Sequence, residues 1–280
     1  MQACANGAGL HAMYCKKMYK FVRCINMTAM AAISNNEIKR VKSLQQKKFR
    51  DETGLFVVEG EKMVEEACAS ALAVEKVYYR DEIGQEAMSR ISAMTSPSPV
   101  LAVVRKPSDV CLDSAGQIES IKSRSGLYLG LDSIRDPGNL GTILRIADWF
   151  GIDAVFATRD TVDVFNPKVV QATMGAIFRV KFHYVDLPEL SRCILDAGGK
   201  VYGTFLDGGN MYQRNLETGI ASPVMIVIGN ESEGISDTMA ELVSDRLYIP
   251  PYPADSPGSE SLNAAIATAL TVAEFRRRTI

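Results

Sequence analysis

The sequence predicts a two-domain α/β protein, a small α/β domain in front of a larger parallel-sheet domain. Three observations carry this. From Leu55 onward, apolar runs of strand length alternate with stretches of helix length. Leu127-Tyr128-Leu129-Gly130-Leu131 and Val224-Met225-Ile226-Val227-Ile228 are almost wholly apolar, as strands covered on both faces are. Between the two halves, residues 107–125 carry Pro107, Gly116 and several Ser and Asp, the composition of a linker.

Residues 1–32 hold no acid, four methionines besides Met1, and no periodicity. They read as a disordered tail or an over-extended start. A transit peptide would also be basic and poor in acids, but Ser and Arg are sparse here. The first domain, 33–106, opens on Ser34-Asn35-Asn36-Glu37, a capping-box pattern. The helix it starts points Ile38, Val41 and Leu44 toward a core. Its other faces carry Lys39, Arg40, Lys42, Lys47, Lys48 and Arg50, six cations in twelve residues with no acid among them. Solvated helices usually mix both signs, so this face is a candidate phosphate-contacting surface. Strand 55–58, helix 61–69, strand 74–79, a helix around 83–94 and strand 100–104 complete the domain.

The second domain, 126–280, begins with the strand 127–131. Pro137-Gly138 then turns the chain, Asn139 is placed to cap a helix, and Gly151 to end it. Leu140, Ile143, Leu144, Ile146, Ala147 and Phe150 cover most of that helix, which predicts that it is largely buried. Arg145 on such a helix needs a partner, for instance Asp148, or a task. Trp149 reads as core. Strand 154–157, a helix from Phe165-Asn166-Pro167 to Met174-Gly175, strand 179–184, helix 189–197 and strand 200–204 follow. Asp207-Gly208-Gly209-Asn210 reads as a loop. The strand 224–228 runs into Gly229-Asn230-Glu231-Ser232-Glu233-Gly234. A last strand, 247–249, ends in Pro250-Pro251, and Ser261-Leu262-Asn263 opens an Ala-rich helix. In such sheets, ligands sit at the carboxyl ends of the strands.

Composition excludes several classes. The chain is 47% hydrophobic and 23% charged, without a run near the roughly 18 apolar residues of a membrane span, so it reads as soluble. Six scattered cysteines form no C-x-x-C pair, which argues against zinc and a disulfide framework and for a cytoplasmic protein with reduced thiols. Two histidines, His11 and His183, supply little for His-based hydrolysis or metal catalysis. The nicotinamide and Walker glycine motifs are missing. The net charge of −2 is uneven: residues 1–50 hold ten Lys/Arg and one acid (+9), and the rest 21 Lys/Arg against 32 acids (−11). A basic front part suggests a polyanionic partner.

The Gly229-Asn230-Glu231…Gly234 turn, the Ile249-Pro250 step and Ser261-Leu262-Asn263 resemble three motifs of the SpoU (TrmH-like) RNA ribose methyltransferases. Asp136-Pro137-Gly138-Asn139-Leu140-Gly141, leading to Arg145 and Ala147, resembles a fourth. Thr173-Met174-Gly175-Ala176 resembles the family's Ser-x-Gly-Ala with Thr for Ser, and the loop 252–260 is longer than the family's. Phe56-Val57-Val58-Glu59-Gly60 is similar to the ribosomal-protein-like RNA-binding domain often fused in front. The resemblance implies S-adenosylmethionine as cofactor and a ribose 2′-hydroxyl of RNA as substrate. Ribosomal RNA is favoured by the front domain, with transfer RNA methylation and a non-catalytic RNA-binding role as alternatives. It further implies a trefoil knot in the second domain, and a homodimer whose active site lies near the interface.

Carried onto this chain, the resemblance makes Arg145 the group that activates the hydroxyl, supplied in one reading by the facing subunit. It gives Asn139 the task of orienting that hydroxyl or its phosphate. Glu231 would position a polar network completed by Ser261 and Asn263. Gly229, Ile249 and Leu262, with Thr204, would contact the cofactor's adenosine. Removing residues 1–32 is expected to leave the melting temperature and cofactor affinity unchanged; a fall in either, by thermal denaturation or calorimetry, would make the segment part of the fold.

Overall fold

The computed structural model describes residues 33–112, 125–253 and 261–279. The expected tail 1–32, most of the linker 107–125 and most of the long loop 252–260 therefore lie outside the described residues. The chain forms two compact units. One comprises the front residues to Pro107 together with Phe165–Phe178, the other Ser108–Val164 and Arg179 onward. An unbroken second domain did not anticipate that 165–178 groups with the front unit. Its anchor is Phe165, whose ring lies 4.7 Å from that of Phe56 and beneath the Lys106 ammonium.

In the front unit Ser34 caps α1 (Asn35–Ser43), its hydroxyl accepting from Glu37 N at 3.2 Å. Ile38, Val41 and Leu44 are buried as their spacing predicts. The basic helix does not continue to Arg50. Instead α1 stops and α2 (Lys47–Thr53) starts afresh, because Arg50 folds inward and donates to the carbonyls of Leu44 and Gln45, each at 2.9 Å. It satisfies carbonyls that the end of a helix leaves open. Then come β1 (Leu55–Glu59), α3 (Glu61–Ala69), β2 (Val74–Tyr79), α4 (Arg80–Ile83), α5 (Gln85–Ile91) and β3 (Val100–Arg105). The sheet is antiparallel in the order β1-β3-β2. One of its faces packs Leu55, Val57, Tyr78, Leu101 and Val103 against α1 and α5. Buried Glu59 holds the loop before β3, accepting from Ser92 Oγ, Ala93 N and Ser98 N.

The second unit contains β4 (Gly126–Leu131), α6 (Pro137–Trp149), β5 (Ala154–Ala157), then, after α7 (Pro167–Ala172) of the front unit, β6 (Phe182–Tyr184) and α8 (Leu187–Asp196). It continues with β7 (Lys200–Asn210), β8 (Pro223–Ile228), α9 (Asp237–Ala240), β9 (Asp245–Tyr248) and α10 (Ala264–Arg277). Six parallel strands lie in the order β6-β5-β4-β8-β7-β9. The expected loop at 207–210 is partly strand, since Gly209 and Asn210 pair with Leu247 and Tyr248. Leu187, Leu190 and Ile194 of α8 pack on Tyr128, Phe156, Val201, Met225 and Val227. The β4 and β8 registers match from Gly126↔Pro223 to Leu131↔Ile228, so the two strands end abreast. The segments leaving their carboxyl ends are thereby brought together.

Glu37 is the charged hub of the front unit. Its carboxylate accepts from Arg40 and Lys76 and, through a short hydrogen bond, from the Tyr78 hydroxyl. The Arg40 hydrogen bond, against an opposing burial effect and with help from Tyr78 and Lys76, lowers the acid from its ordinary 4.5 to about 2. A depressed folded value stabilises the fold above the unfolded value and ceases to do so as pH falls toward the folded one. The melting temperature of the wild type is thus expected to drop between pH 4.5 and 2 more steeply than that of Glu37→Gln; parallel pH profiles in thermal denaturation would remove Glu37 from this role.

Candidate active site

The residues after β4 and β8 build one polar constellation. Pro137 occupies the first turn of α6 and Asp136 precedes it as the cap, accepting from Asn139 N at 2.7 Å. The expected cap, Asn139, thus lies inside the first turn with its amide free for other work. It donates from Nδ2 to Glu231 Oε1 at 2.6 Å and accepts at Oδ1 from Asn263 Nδ2 at 2.8 Å. Asn263 itself caps α10, its Oδ1 accepting from Ala265 N and Ile266 N. The amide dipoles line up and end on a carboxylate, and a hydrogen bond to an ionised acceptor is among the stronger kinds. Three of the five expected catalytic residues, Asn139, Glu231 and Asn263, are therefore in direct contact.

Ser261 is exposed at the start of the segment leading to α10 and takes no part in that relay. Arg145 is not on a buried helix face. The buried stripe of α6 is Leu140, Ile143, Leu144 and Ala147, and Arg145 lies exposed on the opposite side. Asp148 is not its partner, because Arg179 holds that carboxylate at 2.8 Å. Six residues along a helix turn the side chain about 120° away from Asn139. The expectation that Trp149 is core also fails. It is 84% exposed, one turn beyond Arg145 on the same open face, since the core stripe already fills the inward side.

Helices α6 and α10 run parallel. Asn139 and Asn263 join their amino ends, while Arg276 donates to Phe150 O and Gly151 O at their carboxyl ends. Ile266 and Leu270 are exposed on α10, one turn apart. Trp149 on α6 and Ile266 and Leu270 on α10 are thus apolar side chains left exposed on two helices that pack together. Their 3–4 residue spacing is legible in sequence, but their outward direction is not.

The expected cofactor contacts lie around the carboxyl ends of β7, β8 and β9. Thr204 and Ile249 are half-buried and Leu262 is exposed. Between Thr204 and Gly209 the register of β7 against β9 shifts, as at a bulge. Apolar side chains such as Ile249 and Leu262 near strand ends fit an adenosine, which is recognised by shape and a few main-chain contacts. The need for glycine at 229 has another origin, however. A Cβ there would lie 2.2 Å from the Gly234 carbonyl carbon and 2.3 Å from Ile235 N, so the turn itself leaves no room. Among the described residues no three metal-binding side chains cluster, and no helix is long and apolar enough to cross a membrane.

The six candidate RNA-contacting cations divide in two. Lys39, Lys42, Lys47 and Lys48 are exposed, with Lys47 paired to Asp51 and Lys48 near Glu52 on their own helix. Arg40 is bound by Glu37 and Glu75. Arg50, 2% exposed, cannot touch a phosphate. Sequence spacing showed the charge but not the acids and carbonyls brought to it by folding.

Residues 126–273 match the sequence model of the SpoU rRNA Methylase family, and residues 35–107 that of the MRM3-like substrate binding domain. The 23S rRNA (guanosine(2553)-2′-O)-methyltransferase RlmP of Bacillus subtilis is 31% identical over 265 residues, covering 89% of this chain and 100% of that protein. The mitochondrial rRNA methyltransferase 3 of Homo sapiens is 26% identical over 297 residues, covering 82% and 69%. The AdoMet-bound rRNA methyltransferase of Sinorhizobium meliloti superimposes with a TM-score of 0.77 at 28% identity, covering 89% of this chain and 97% of that one.

Because the clash at Gly229 is with backbone, Gly229→Ala is expected to lower the melting temperature as well as cofactor affinity. A variant with unchanged melting and weakened cofactor binding by calorimetry would restore direct contact as the reason for glycine.

Proposed function

The chain belongs to the SpoU rRNA methylase family, and from that premise we propose that it methylates a ribose 2′-hydroxyl of ribosomal RNA. The observation that carries the proposal is the Asn263–Asn139–Glu231 relay, formed by three motifs up to 124 residues apart. S-adenosylmethionine, when bound, supplies an electrophilic methyl group. Thr204, Gly229, Ile249 and Leu262 are the residues to hold it. The chain's own contribution is to place the weakly nucleophilic hydroxyl and to stabilise the negative charge that develops on its oxygen.

Arg145 is suited to the second task. Its guanidinium offers a planar fork of donors. Asn139, held between Glu231 and Asn263, orients the hydroxyl or an adjoining phosphate. Ser261, at the approach to α10, completes the set. The exposed Lys39, Lys42, Lys47 and Lys48 are the phosphate contacts of the front unit.

Arg145 and Asn139 point to different sides of α6, so one subunit cannot bring both to a single hydroxyl through that helix alone. The exposed apolar side chains Trp149, Ile266 and Leu270 support a homodimer, and in it each site takes Arg145 from the facing subunit. A knotted path in the second unit is supported by α10, which comes after the edge strand β9 yet packs on α6 and β8. The six scattered cysteines, without a C-x-x-C pair, suit a reducing cytoplasm.

The test is methyl transfer from labelled S-adenosylmethionine to ribosomal and transfer RNA, with nuclease mapping of 2′-O-methylated sites. Transfer to transfer RNA alone would change the substrate, and cofactor binding without transfer to either would favour a non-catalytic factor. Arg145→Ala is expected to lower the single-turnover rate roughly a hundred- to a thousandfold, as loss of an oxyanion donor does. Cofactor affinity and dimerisation should stay near wild type. Near-normal transfer would remove Arg145 from the chemistry, and a dissociated dimer would make it an interface residue.

A further inference from the structure

Glu231 projects from a turn whose residues 231–234 are all exposed. An exposed turn does not by itself hold a carboxylate 2.6 Å from an amide on another element. The side chain that fixes it is Asn230, only 8% exposed. Its backbone closes the turn through Asn230 N to Gly234 O at 2.9 Å and Gly234 N to Asn230 O at 3.0 Å. Its Oδ1 accepts from Ser232 N at 2.8 Å and Glu233 N at 3.1 Å, so the amides on either side of Ser232 are tied inward.

The other end of the same amide reaches across to the partner motif. Asn230 Nδ2 donates to Ser133 O at 2.7 Å. Ser133 adopts a left-handed conformation, φ 59°, and its N–H is held by Thr158 Oγ1. It lies three residues before Asp136, the cap of the helix that carries Asn139. A buried amide thus fastens the Glu231 turn to the loop that sets Asn139, beside an exposed ion pair between Arg135 and Glu233 at 3.4 Å that joins the same two segments. Asp132, also buried, links the same loop to Ser236 N and Oγ, both at 2.8 Å, and does so independently of Asn230.

We propose that Asn230 is a positioning residue for methyl transfer, acting through Glu231 by locking the 229–234 turn to the 132–136 loop. This rests on the reading of Glu231 as part of the catalytic network. Asn230 touches neither RNA nor cofactor in this role. Its effect is on the distance between Glu231 and Asn139, and small misplacements at a reacting centre cost rate rather than binding.

The decisive variant is Asn230→Asp. It retains the oxygen that accepts from Ser232 and Glu233 but replaces the donor facing Ser133 O with an acceptor. With Asp132 still joined to Ser236, the fold and cofactor affinity should survive. The single-turnover rate on RNA should fall about 10- to 100-fold, with cofactor Kd changed less than about threefold. In a Glu231→Ala background the same substitution should lower the rate by less than about twofold, because residues that act as a unit are not additive. If Asn230→Asp does not fold, Asn230→Ser replaces it, since a short hydroxyl can still serve the turn amides but cannot reach Ser133. A full rate in the folded single variant would overturn the proposal. So would an undiminished further loss in the Glu231→Ala background, or a rate loss matched by an equal loss of cofactor affinity. Absence of transfer by the wild type would instead overturn the methyltransferase reading on which it rests.

Discussion

The hydrogen bonds that join Asn263, Asn139 and Glu231 are the constraint on which the second unit turns. They exist because β4 and β8 end abreast, so the two segments that leave the sheet there cannot avoid one another. The third segment arrives from β9 at the sheet edge, and its helix α10 lies along α6. Each amide has two ends, and each end is used. Asn263 caps its own helix with oxygen and reaches Asn139 with nitrogen; Asn139 accepts that hydrogen bond and donates another to the carboxylate. The cost of holding polar groups at a sheet edge is offset because each has its partner.

That arrangement leaves the other side of α6 bare. With the core stripe inward and Asn139 beyond the carboxyl end of β4, Arg145 and Trp149 face outward, and Ile266 and Leu270 are exposed on the neighbouring helix α10. A guanidinium bordered by apolar side chains is more valuable against another protein surface than in open water, where its charge is screened. The separation of Arg145 from the amide relay and the exposure of Trp149 on its face have one origin, the choice of which helix stripe enters the core.

In the front unit, electrostatics serve the fold before they serve a ligand. Glu37 gathers Arg40, Lys76 and Tyr78; Asp51 takes Lys47 and Lys106; Arg50 turns inward to close the end of α1. Lys47 and Lys48 of α2 lie by acids of their own helix, while Lys39 and Lys42 are exposed on α1. Net positive charge along a helix is therefore not the same quantity as charge available to RNA. The difference is set by acids such as Glu75 that lie far away in sequence.

Much of this was determined by sequence alone. The apolar runs specify the strands, because a strand covered on both faces has no polar side to show. Ser34 and Gly151 mark helix ends through local backbone chemistry, and three of the four motifs name the residues that meet. What tertiary structure decided are the choices that depend on distant partners. Local spacing placed Asn139 as a cap, yet Asp136 beside Pro137 takes that task and leaves the Asn139 amide for Glu231, 92 residues on. Hydrophobicity placed Trp149 in the core, and pattern placed Arg145 on a buried helix. Both lie outside, because four smaller apolar residues already fill the stripe that faces the sheet. Charge placed Arg50 among the RNA contacts, and two carbonyls drew it inward. Periodicity and capping are properties of a few neighbouring residues, whereas burial and partnership are settled only when the whole chain has closed on itself.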